Sequence, residues 1–114
     1  MRSIQELLKE EKKLWIYLRD QEAEQKFVEE LNQLGAKYLN GAQVTTQNCS
    51  PIMAVYPDLR VAHLMIMIWN ASFLPSFDQH YAGDTSKILK IDYARYIEGQ
   101  EDYLCSRSEF TPVI

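Results

Sequence analysis

The sequence predicts an α+β fold: a small mixed or antiparallel sheet of four to five strands, one main packing helix and a short N-terminal helix. Three observations carry this prediction. Phe27, Leu31 and Leu34 recur at helical spacing and stop at Gly35. Short β-prone runs are separated by turn chemistry, Asn40-Gly41 and Pro57-Asp58. Residues 35–76 carry 2 basic and 1 acidic side chain, against 6 and 8 in residues 1–34 and 4 and 7 in 77–114, as a buried sheet would.

The elements follow in chain order. Ser3 and Glu6 form a capping box ahead of Ile4, Leu7 and Leu8, which predicts a short helix over 3–12. Leu14 to Leu18 is apolar on both faces, so an inner strand is expected over 14–19. Asp20 caps the main helix, 21–34, with Glu22 and Glu24 in its first turn and Gly35 as its left-handed stop. Asn40-Gly41 predicts a type I′ hairpin within a strand region at 36–46. Pro57-Asp58 predicts a second hairpin between strands 52–56 and 61–69, with a helix over 58–69 as the competing reading. Residues 70–86 read as a long loop, itself a reason to suspect function. Leu89, Ile91 and Tyr93 alternate with Lys90, Asp92 and Ala94 and predict a last strand, 88–97, before a loosely packed tail, 98–114.

The length of 114 residues suits a single domain, 1–114, that folds without disulfide or metal. A net charge of −4 gives no basic field for direct nucleic-acid binding, and Lys9, Lys12, Lys13 and Arg19 are diluted by glutamates. Val61 to Trp69 is too short to cross a membrane, and Met1 is followed by a charged amphipathic stretch, so a cytoplasmic chain is expected. Cys49 and Cys105 stand far apart, which favours thiols and leaves a disulfide open.

The run Phe27-x₃-Leu31-x₂-Leu34-Gly35-x₂-Tyr38-x-Asn40-Gly41, followed by Ile52-x-x-Val55 and Asp58, resembles small accessory proteins of phages and mobile elements in Gram-positive bacteria. The resemblance covers roughly residues 14–69. Some small proteins of that origin inhibit host defence systems, CRISPR nucleases included. The resemblance implies such a role and supplies no catalytic residues.

The chemistry-bearing residues are sparse. No G-x-S-x-G elbow and no glycine-rich phosphate cradle occurs. His63 lies in the most apolar run and reads as a hydrogen-bonded core residue, whereas His80 falls in the long loop with Asp78 and Asp84. The expectation is therefore no enzyme, no cofactor and no metal, with a small hydrolase using His80 as a lesser alternative. Aromatic and acidic residues crowd the C-terminal third, a combination suited to docking on a basic protein surface. The expected partner-binding residues are Phe77, Asp78, His80, Tyr81, Asp84, Tyr96, Glu98, Glu101, Asp102 and Tyr103. The expected partner is a protein, such as a basic nucleic-acid-binding protein or nuclease, met by a monomer or homodimer. A self-associating subunit, pairing through the Trp69 strand or an exposed hairpin edge, is the alternative.

Overall fold

Leu14 to Ile16 are buried from both sides because their strand, β1 (Lys13–Tyr17), lies inside a five-stranded mixed sheet. The computed structural model describes residues 2–81 and 85–106. β1 pairs antiparallel with β3 (Ile52–Val55), with Trp15 opposite Ala54, and parallel with β5 (Ile88–Asp92), with Trp15 opposite Lys90. β3 continues antiparallel to β4 (Arg60–His63), and the two-residue β2 (Lys37–Tyr38) lies parallel to β4, giving the order β2-β4-β3-β1-β5.

Alternation along the strands divides the core in two. Leu14, Ile16, Met53, Val55, Val61 and Ile91 face one side, where they meet Ile4, Leu7 and Leu8 of α1 (Ile4–Leu8) and Phe27 and Leu31 of α2 (Gln21–Leu34). Tyr93, Tyr96 and Ile97 of α5 (Tyr93–Ile97) close the same side. Trp15, Ile52 and Ala54 face the other side, under Trp69 of α3 (Ile66–Ala71) and Phe77 of α4 (Phe77–His80). Helices thus cover both faces of the sheet. Cys49 packs on the first core and Cys105 on the second, so the sheet separates them and no disulfide joins them.

The caps are those the sequence predicts. The Asp20 carboxylate accepts from Ala23 N–H at 2.8 Å, and Gly35 ends α2 at φ 78°. Both expected hairpin turns form, but neither is a two-residue turn. Gly41 N–H donates to Tyr38 O and Tyr38 N–H to Ala42 O, while Leu59 and Tyr56 repeat this pattern with Tyr56 and Arg60. Gly41 at φ 85° and Leu59 at φ 66° take the left-handed place of a three-residue loop, and Asn40 does not, which rules out type I′.

Three strands are shorter than expected. Residues 36–46 supply β2 and a single bridge, Lys37 to Gln43. The 61–69 run ends as a strand at His63, opposite Met53 at the start of β3, and the chain then turns into α3. Each of the competing readings of 58–69 therefore describes part of it. The 88–97 run stops at Asp92, and Tyr93, Tyr96 and Ile97 bury themselves at the i, i+3, i+4 spacing of α5 instead. Residues 70–86, read as a loop, hold the end of α3, α4 and a 3₁₀ turn at Thr85–Lys87. His63 is exposed, not in the core. Its Nε2 donates to Asn48 O at 2.5 Å, beside the Tyr38 hydroxyl, which donates to the same carbonyl at 2.6 Å.

Both sheet edges are covered. Gln43 bridges the outer side of β2, and Leu104 bridges Ile91 while Asp92 N–H donates to Tyr103 O and Cys105 N–H to Lys90 O. The stretch 103–105 is thus held against β5, and 107–114 lie outside the described residues.

Candidate functional site: an apolar face beside a recess

Seven large hydrophobic side chains are exposed among the described residues, and five of them, Met65, Ile66, Met67, Ile68 and Leu74, fall within 65–74. The local sequence explains this. Leu64 N–H still bonds Ile52 O, so the chain leaves the sheet at Met65 and begins α3 there. A six-residue helix has room to turn one large residue inward, and that residue is Trp69. It is fully buried, with ring centroids 6.5 Å from Tyr17 and 5.2 Å from Phe73. The preceding four side chains are left outside, Met67 at 75% exposure and Met65 at 61%. Residues 61–77 contain no Asp, Glu, Lys or Arg, so the face is also uncharged.

Next to it, α4 lays Phe77 and Tyr81 over Trp15. Phe77 and Tyr81 stack at 5.0 Å, and each meets the Trp15 ring edgewise, at 6.1 and 5.8 Å. Lys13 Nζ lies 5.9 Å from the Tyr81 ring and 5.7 Å from the Tyr56 ring. Between this cluster and β5 opens a recess of about 350 Å³, walled by Trp15, Phe77 and Ile88 and edged by Ser72, Asp78 and Lys90. Lys90 Nζ donates to Ser72 O at 2.9 Å and sits 4.1 Å from the Phe73 ring centroid. Burial pushes its pKa down, opposed by Cys105 and Asp78.

The expected partner-binding residues do not form one surface. Phe77, Asp78 and Tyr81 stand on the α3–α4 side. Tyr96 and Tyr103 belong to the opposite core. Tyr96 is buried and is no surface anchor: its hydroxyl donates to Ser3 O at 3.0 Å, and burial pushes its pKa up to about 12. The Arg2 guanidinium lies over the Tyr96 and Tyr103 rings, at 5.6 and 5.1 Å, and pairs with Glu101 at 2.7 Å. Asp102 pairs with Arg95 at 3.3 Å, and Glu98 accepts from Gln100 Nε2 at 2.8 Å. Glu98, Glu101 and Asp102 therefore have internal partners. Asp84 and the His80 side chain lie outside the described residues. The expected self-pairing strand is also absent as such, since Trp69 is buried in a helix.

Among the described residues no three His, Cys, Asp or Glu side chains converge as a metal ion would require, and no helix is long and apolar enough to cross a membrane. The apolar run Met65–Ile68 is what reading the sequence missed. Its continuity suggested a strand buried on both faces, and the signal available was the helix-favouring Leu64, Met65 and Met67 behind the competing helical reading of 58–69. Comparison with known proteins finds no match, whether to a family model, a curated protein or a solved structure.

Proposed function

We propose that the protein is a non-catalytic protein-binding module that docks through the uncharged α3 face. One observation carries this reading: five large hydrophobic side chains are exposed within ten residues, 65–74, along and just beyond a helix that buries Trp69 alone. Exposed apolar side chains gathered in this way are costly to leave in water, and such groups mark interaction sites. Phe77 and Tyr81 extend the face with aromatic area, the residue class that dominates binding energy at interfaces.

Within this reading, inhibition of a host-defence nuclease remains the finer proposal, with its mechanism changed. Occlusion of a basic surface wants aromatic anchors and carboxylates on one side, whereas here Glu101 and Asp102 sit across the sheet in ion pairs. The partner surface complementary to 65–74 is apolar. Self-association is the second reading, favoured because an uncharged face meets its own copy without repulsion.

The test is a pull-down from a bacterial lysate with the wild type and M67D. Docking predicts a stoichiometric protein retained by the wild type and lost from M67D. Equal capture by both, or by neither, refutes a protein partner at this face. Light scattering at micromolar concentration isolates self-association, which predicts a dimer for the wild type and a monomer for M67D.

A further inference from the structure

We propose that the recess between β5 and α4 binds a small aromatic zwitterion, the chemistry of a free aromatic α-amino acid. This goes beyond protein docking and shares only Phe77 with the proposed docking face. The volume of about 350 Å³ lies in the range of small-ligand sites and exceeds what one such molecule fills.

The charges select the ligand. Lys90 leaves β5 toward the recess because Leu89 and Ile91 on either side of it face the other core. Its ammonium has three donors, and Ser72 O accepts from it. Asp78 acts on Lys90 electrostatically, yet among the described residues no carboxylate oxygen comes within 4.0 Å of Nζ. An anion and a cation thus edge one cavity without closing on each other. A doubly charged phosphate would meet one ammonium and one carboxylate, a poor balance. A zwitterion meets both: its carboxylate takes the remaining Lys90 donors, and its ammonium faces Asp78. Lys90 is half-buried, which strengthens the first contact, as charge-assisted hydrogen bonds gain where water is partly excluded.

The walls select the side chain. Trp15, Phe77 and Ile88 offer rings and an apolar side chain to a planar group, and edge-to-face contact with Trp15 is the geometry that Phe77 and Tyr81 already adopt. Thr85 adds a hydroxyl at the rim.

Calorimetric titration with L-phenylalanine tests this, with 3-phenylpropionate and phenethylamine as the probes that keep one charge each. Saturable binding of phenylalanine is expected, with both half-ligands weaker by about tenfold or more. K90M should abolish the carboxylate contribution and D78N the ammonium one, so that D78N weakens phenylalanine and leaves 3-phenylpropionate unchanged. Far-UV circular dichroism and melting of each variant show that it is folded, and K90R, which keeps the charge, should retain part of the affinity. The proposal fails if phenylalanine does not saturate below about 10 mM, if folded K90M binds it as well as the wild type, or if 3-phenylpropionate binds as tightly as phenylalanine.

Discussion

Arg19 clamps Asp92 across the ends of two parallel strands, with Nη2 at 2.5 Å and Nε at 3.2 Å from the same carboxylate oxygen. Arg19 follows β1 and Asp92 ends β5, so the pair fixes the register of the parallel strands where each hands over to its helix. Asp92 is 4% exposed, and Arg95 approaches the same oxygen at 3.8 Å. The pair raises the Arg19 pKa through the hydrogen bond first. Removing the arginine leaves a buried carboxylate with a distant partner, so R19M should lower stability by about 3 kcal/mol. D92N keeps the shape and loses the charge-assisted bond, and should cost about 2 kcal/mol. Urea denaturation of both variants measures this, and a loss under 1 kcal/mol for R19M would show the pair to be idle.

Among the described residues, Glu11 and Leu59 carry backbone strain that differs in what offsets it. Glu11 at φ 57° is exposed in the turn between α1 and β1. Leu59 at φ 66° is half-buried and packs against the α2-side core. A left-handed conformation costs a non-glycine residue about 1–2 kcal/mol. E11G should therefore stabilise by about 0.5–1 kcal/mol after glycine's greater unfolded-state entropy is counted. L59G relieves the same strain but strips apolar contact, and should be destabilising. Thermal melts that move in opposite directions for the two variants are the expected result.

What could be read from the sequence was what local chemistry decides. Asp20, Gly35, the Phe27-Leu31-Leu34 stripe and the double-faced β1 all act within a few residues, and each is where expected. Strand lengths were not readable, because a strand continues only as far as its neighbour does. β4 ends at His63, opposite Met53, because its antiparallel neighbour β3 begins at Ile52, and β2 on its other side reaches only Arg60 and Val61. Tyr93 satisfied both the period of a strand with Leu89 and Ile91 and that of a helix with Tyr96 and Ile97, so periodicity could not choose between them. The aromatic and acidic residues of the C-terminal third looked like one surface because they are close in sequence. The sheet runs between them.

Residues 67 and 69 of α3, two positions apart, should respond in opposite ways. Met67 is 75% exposed, so M67D should change stability by no more than about 0.5 kcal/mol. Trp69 fills the second core, and W69A should cost about 3–5 kcal/mol. Had the segment been a strand, both side chains would share one face and one response. Matching losses in urea titrations would therefore contradict the helix and the docking face together.

Alkaline unfolding should begin earlier than the lysines alone would cause. Burial raises the Cys49 thiol from 9.0 to about 12 and Tyr38 and Tyr96 from 10.0 to about 12, and it raises Tyr93 further with help from Glu30. In each case the native state keeps a proton that the unfolded chain gives up. Stability that is complete below pH 9 is then lost as pH rises, first through Cys49 and then through the tyrosines. Lys90 works against this trend, since its lowered pKa makes the native state release its proton before the unfolded chain does near 10.5. One lysine against four raised acids leaves the net slope negative. Urea midpoints measured from pH 7 to pH 11 should fall above about pH 9, and C49A should delay the onset by removing the first group to titrate. A midpoint that stays level to pH 11, or an onset that C49A does not move, would show that these groups are less buried in solution than the structure places them.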